Sequence, residues 1–178
     1  MWFGAHMDAH TFETSVSQAP HGMSFASLIG QGCPEWVKLG GVGGKVAPHQ
    51  AVQIGVRSFE AAEAALLKSH HVTVFSQEQI NTFGLKSIFQ SAYDQIVQTT
   101  PWFGVSLDIN VFDPTQAPGT GTPEPNGVDY RSFLPLVKGL AYQEHCLAFE
   151  IAEFNPDKDQ EDKTLNLILQ LVQTVLTP

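Results

Sequence analysis

A chain of 178 residues with 43% hydrophobic content is long enough for one α/β domain with a buried core, and no break in composition marks a second, so residues 1–178 are expected to form a single domain. Nine basic against eighteen acidic residues give a formal charge of −9, and no Lys/Arg stripe is visible; that balance argues against nucleic acid or an anionic membrane and leaves small molecules or proteins as partners. No apolar stretch approaches the roughly 20 residues of a membrane helix, the opening residues lack a leader pattern, and two isolated cysteines, Cys33 and Cys146, make neither a disulfide framework nor a CxxC zinc site, so the cytoplasm is the expected compartment.

The chain begins with a short strand at Met1–Gly4 and runs into AHMDAH, where His6, Asp8 and His10 fall on alternate residues. If Trp2–His10 stays extended, all three point to one side, as ligands of a metal site would. The plainer alternative is that His6 and Asp8 hydrogen-bond loop backbone at the strand end. Next comes a loop at 30–48, whose glycine run Gly40-Gly41-Val42-Gly43-Gly44 precedes Lys45. It is not a phosphate loop: Val46 and Ala47 stand where a Ser/Thr is needed, and Pro48 stops any helix.

Ala51–Arg57 and His71–Phe75 read as buried strands, separated by a helix at Phe59–Lys68 with Ser58 as its N-cap. A helix at Leu85–Gln98 leads to a fourth strand, Gly104–Asn110. The segment Asp113–Gly127, DPTQAPGTGTPEPNG, is a rigid excursion above the sheet in which Asp113 caps a turn. A helix at Tyr130–Ala141 follows, weakened by Pro135 and Gly139 by about 3 and 1 kcal/mol relative to Ala. The fifth strand is Leu147–Phe154, and the last helix, Thr164–Leu176, carries Leu165, Ile168, Leu169, Val172 and Leu176 on one stripe. Strands alternating with helices imply a parallel sheet covered on both faces, with ligands beyond the carboxyl ends of the strands. His6, Asp8, Glu60, Asp108, Asn110 and Glu153 all fall at such ends.

Three segments carry a specific likeness. WFGAHMDAHTFETSVSQAPHGM (Trp2–Met23), SLDINVFDPTQAPGTGTPEPNG (Ser106–Gly127) and FEIAEFNP (Phe149–Pro156) resemble, in order, the signatures of the ureohydrolase family of arginases, agmatinases and formimidoylglutamases. The resemblance spans essentially the whole chain. It implies an arginase-like three-layer α/β/α fold with a mostly parallel sheet that lacks the N-terminal strands, leaving the last strand as an open edge. It also implies a two-manganese (Mn2+) site that activates water against a linear guanidino or formimino compound. Carried over position by position, His6, Asp8, Asp108 and Asn110 fall on metal ligands. His21 falls on a proton-shuttling histidine, and Glu153 on the carboxylate that holds the substrate cation. His10, Ser15, Ser17 and Glu60 fall where the amino-acid part of the substrate is met.

The departures weigh as much. Gly4 stands where the family has a bridging aspartate, Asn110 replaces a second carboxylate, and the family's upstream G-G-D-H histidine has no counterpart after Met1. Three full ligands and one amide do not make a two-dication site, so at most one weakly bound ion is expected. Two readings follow: a hydrolase whose activity is lost or strongly impaired unless a partner chain completes it, or a non-catalytic pseudoenzyme or regulatory subunit that keeps the fold. Either leaves a sheet edge that a homo- or hetero-oligomer would cover.

Overall fold

The strand that opens the chain lies in the middle of the sheet. In the computed structural model, which describes residues 1–41 and 43–178, β1 (Trp2–Phe3), β2 (Val52–Val56), β3 (Thr73–Ser76), β4 (Phe103–Asp108) and β5 (Cys146–Ala152) are all parallel, in the order β3-β2-β1-β4-β5. The chain winds one way from β1 to β3 and the other way through β4 to β5. The point where winding reverses therefore lies between β1 and β4, and a crevice opens beyond their carboxyl ends.

Seven helices accompany the strands among the described residues: α1 (Ser24–Leu28), α2 (Pro34–Val37), α3 (Ala61–Ser69), α4 (Gln77–Phe83), α5 (Leu85–Thr99), α6 (Tyr130–Val137) and α7 (Lys163–Val175). Alternation along the strands sorts them into layers. Phe3, Val52, Ile54, Val105 and Leu107 face a large core with α4, α5, α6 and α7, which includes Ile88, Phe89, Phe133 and Leu171. Trp2 and Val74 face the opposite side, where Phe25 of α1 and Leu67 of α3 pack. This second layer covers β1 to β3. Toward β5 it gives out, and Gly104, Ala148 and Glu150 are exposed.

Several expectations shift in detail. The N-cap of α3 is Glu60, in a capping box with Glu63, and not Ser58, whose amide instead donates to Ala5 O beside the carboxyl end of β2. Helix α4 was not foreseen, although Ser76 and Gln79 form a capping box at its start. Helix α6 ends at Val137, short of Ala141: Pro135 removes an amide, and Gly139 turns the chain left-handed at φ 67°. In α7 the buried face is Thr164, Leu167, Leu171 and Val175. Of the expected stripe only Ile168 packs against the core, while Leu165, Leu169, Val172 and Leu176 are exposed. The glycine run includes Val42, which lies outside the described residues; Lys45 donates to the carbonyls of Val37, Gly41 and Gly43. No helix among the described residues is long and apolar enough to cross a membrane.

Candidate functional site

The crevice at the winding reversal is built from the ends of four strands. Just past β1, Gly4 and Ala5 are followed by His6 and Asp8; β4 delivers Asp108 and Asn110; β5 delivers Glu153; β2 leads to Glu60 at the start of α3. A cleft of about 150 Å³ is lined by Asp8, His21, Asp108, Asn110, Thr122 and Glu153. An adjoining cleft of about 200 Å³ adds His6, His10, Glu60 and Glu63, with Asp8 and His21 shared. Eight of the ten residues singled out in the sequence thus converge. Ser15 and Ser17 line neither cleft: their hydroxyls accept from Gln18 N (3.0 Å) and Ala19 N (3.3 Å) in a local turn.

Backbone geometry aims two of the carboxylates. Asp8 (φ 49°) and Glu153 (φ 67°) both lie in the left-handed region, a conformation that non-glycine residues adopt at a cost and that clusters at ligand-facing positions. Asp8 leaves its strand-like run there, and its carbonyl accepts from Phe25 N and Ala26 N, fixing it to the start of α1.

The expected metal ligands hold each other. Asn110 Oδ1 accepts from Ala5 N at 2.9 Å, which orients the amide so that Nδ2 donates to His6 Nδ1 at 3.1 Å. The other ring nitrogen of His6, Nε2, is 3.3 Å from Glu124 Oε1. Both imidazole nitrogens are thereby taken by protein groups, and the tautomer is consistent: Nδ1 accepts and Nε2 donates. Asp108 Oδ1 accepts from Asn110 N (2.9 Å), capping the turn Ile109–Val111. Among the described residues no group of three or more His, Cys, Asp or Glu side chains is placed to hold a metal ion. The donor set present here does not fit a two-manganese cluster, since Gly4 offers no side chain and Asn110 presents an amide N–H toward the imidazole.

Electrostatics reflects crowded acids in a dry place. Burial pushes Asp8 up to about 8, and the like charges of Asp108, Glu63 and Glu153 add to it. Asp108 is pushed up to about 7, again chiefly by burial, while the Asn110 amide pulls the other way. Such shifts, in a cleft, mark a candidate functional site.

Three participants escaped the sequence reading. Glu63 is 5% exposed; it accepts from Ala9 N (3.0 Å) and Glu60 N (2.8 Å) and lies 3.3 Å from His10 Nε2. The Glu60-x-x-Glu63 spacing was the available signal. Glu124 comes from the Asp113–Gly127 loop, which nothing in its composition ties to His6. Arg57 donates to the carbonyls of Gly55, Asn110, Val111, Phe112, Glu124 and Pro125, clamping that loop and the end of β4 to β2. Asp113 caps its turn as expected, accepting from Thr115 N (3.0 Å) and Gly127 N (3.3 Å).

Comparison with known proteins places this geometry. The model of the arginase family matches residues 1–177. The arginase of Bacillus caldovelox is 31% identical over 172 residues, covering 97% of this chain and 58% of that protein. The 1.7 Å crystal structure of the arginase of Bacillus subtilis superposes with a TM-score of 0.93 at 32% identity, covering 99% of this chain and 61% of that one. Formimidoylglutamase of Bacillus subtilis superposes with a TM-score of 0.83 at 25% identity, covering 98% of this chain and 51% of that one. The chain therefore spans about three fifths of the length of the arginases it matches.

Proposed function

The chain belongs to the arginase family, and we propose that it keeps the acidic rim with which such a protein meets a linear guanidino or formimino cation while having lost, by itself, the manganese-dependent hydrolysis of the C–N bond. One observation supports this above the others: the Asn110 amide sits against His6 Nδ1, the lone pair a metal ion would need. Gly4 adds to it, because no carboxylate reaches across from the end of β1 to Asp108. Of the groups expected to meet substrate, Glu153, His10 and Glu60 lie at the clefts, whereas Ser15 and Ser17 do not. Glu153 faces the cleft it shares with Asp8 and His21, and His10 is set beside Glu60 and Glu63.

In this reading the site holds a cation by charge and does not activate water. The discriminating experiment is to incubate the purified chain with manganese and with arginine or formiminoglutamate, then measure urea or formamide release together with bound metal and heat of ligand binding. The expected result is ligand binding without turnover and without stoichiometric manganese. Turnover with two bound ions per chain would overturn it. The second reading, a hydrolase completed by a partner chain, is favoured by the open β5 edge.

A further inference from the structure

Charge in the two clefts is one-sided. Asp8, Asp108 and Glu153 line the smaller and Glu60 and Glu63 the larger, and among the described residues no Lys or Arg side chain lines either. The guanidinium of Arg57 is committed elsewhere, to six carbonyls. Of the imidazoles, His6 is held at both ring nitrogens, and His10 lies between Thr14 Oγ1 at 3.0 Å and the carboxylates of Glu60 and Glu63 at 3.4 and 3.3 Å. His21 is left to face the acids of both clefts.

The two ends of this rim each point to a cation. Asp8 is 8% exposed and lines both clefts; among the described residues no hydrogen-bond donor reaches its carboxylate, and its charged neighbours are the acids Asp108, Glu63 and Glu153. Buried carboxylates are ordinarily paired or hydrogen-bonded, and a ligand carrying N–H donors satisfies this one. At the outer end Phe59 is 51% exposed and lines the same cleft as Glu60. An aromatic ring beside a carboxylate attracts a second cation, whereas an anion set there meets like charge. The hydroxyls that would suit an anion, those of Ser15 and Ser17, accept from Gln18 N and Ala19 N in their own turn and line neither cleft.

We infer that the ligand of this rim is a linear dication without a carboxylate, of diamine or polyamine chemistry, with one cationic end among Asp8, Asp108 and Glu153 and the other beside Glu60 and Phe59. An amino acid with the same cationic end brings its carboxylate to the outer cleft, against Glu60 and Glu63 and with no Lys or Arg to receive it. The inference rests on the reading that the rim holds a cation by charge, and narrows it by turning away the amino-acid head.

Ornithine and 1,4-diaminobutane differ by one carboxylate and isolate the point. Titration calorimetry of the whole chain with each, at one fixed ionic strength, is expected to show the diamine bound roughly tenfold tighter or more. Glu60→Gln is expected to weaken the diamine by about threefold or more. Glu78→Gln removes the same charge from the exposed first turn of α4 and is expected to leave diamine affinity unchanged; circular dichroism checks the fold of both variants. Ornithine bound as tightly as the diamine would overturn the inference while leaving the cation reading intact. Equal losses in the two variants would overturn it as well, since the diamine would then be answering only to the net charge of −9. If the diamine, ornithine and arginine all fail to bind, the cation reading falls and the inference falls with it.

Discussion

Asn110 and His6 are joined at 3.1 Å, amide nitrogen to ring nitrogen, with the amide turned by the Ala5 N–H on its far side. An aspartate at 110 would keep the bond from Ala5 and set a second carboxylate oxygen against His6 Nδ1, forcing the ring proton onto that nitrogen. Gly4 is permissive as well: a Cβ there meets Trp2 Nε1 at 3.4 Å and Asp108 Cβ at 3.6 Å, ordinary contacts. The variant Gly4→Asp/Asn110→Asp is therefore expected to fold, with a lower melting temperature than the parent without metal because five acids then crowd one cleft. Manganese should raise that temperature and bind at least tenfold tighter than to the parent, while urea release stays negligible. Calorimetry and thermal melts with and without manganese check this, and equal affinity in parent and variant would remove the role assigned to the amide.

The pH dependence of stability has a fixed sign. Asp8 and Asp108 titrate near 8 and 7 in the folded chain against 3.8 unfolded, so folding holds protons that the unfolded chain has released. Their contribution is whole below about pH 4 and is lost as pH rises through 7 and 8. The lowered carboxyls Asp113, Asp129 and Asp159 act only on the acid side of that window. Melting temperature is expected to fall between pH 5 and pH 9 by roughly 5 °C or more, and Asp8→Asn to flatten much of that fall. A profile that rises over the same interval would contradict the burial argument.

The sequence made the parallel α/β sheet legible because β-branched runs such as VQIGV and helices with clear starts are local signals. The cleft was legible for the same reason: in a parallel sheet every strand's carboxyl end faces one rim, so His6, Asp8, Asp108 and Glu153 had to share it. What stayed hidden depends on distant pairing. Glu124 meets His6 across 118 positions, and no local pattern encodes that. The α7 stripe went wrong because a helix apolar on two faces offers two periodic solutions, and only the packed sheet shows which one turns inward. Ser15 and Ser17 were carried by motif position alone, and their hydroxyls serve their own turn.

Arg57 is predicted to be a positioning residue for the whole rim. Its guanidinium, half-buried, serves six carbonyls, including those of Asn110 and Glu124 that fix both neighbours of His6. Arg57→Met keeps the stem and removes the donors, which should cost roughly 2–4 kcal/mol. Proteolysis within 113–127 should quicken, since that loop loses its tie to β2. Arg57→Lys should rescue little, because a single ammonium cannot span carbonyls that a planar fork reaches. Denaturant titration and limited proteolysis measure both; a lysine variant as stable as the parent would refute the fork argument.

Glu63 offers the sharpest test of how the His10 side of the cleft is built. Its two oxygens accept separately from Ala9 N and Glu60 N, so one carboxylate ties the end of the His6–His10 run to the first turn of α3. Glu63→Gln can accept only one of those bonds and turns an N–H toward the other amide, leaving two donors face to face in a buried place. A loss of about 1–3 kcal/mol is expected, close to that of Glu63→Ala even though glutamine is nearly isosteric. Glu60→Ala, removing a side chain that is 61% exposed, should cost only about 1 kcal/mol through its cap on α3. Denaturant unfolding of the three variants ranks them, and the account fails if Glu63→Gln matches the parent while Glu63→Ala does not.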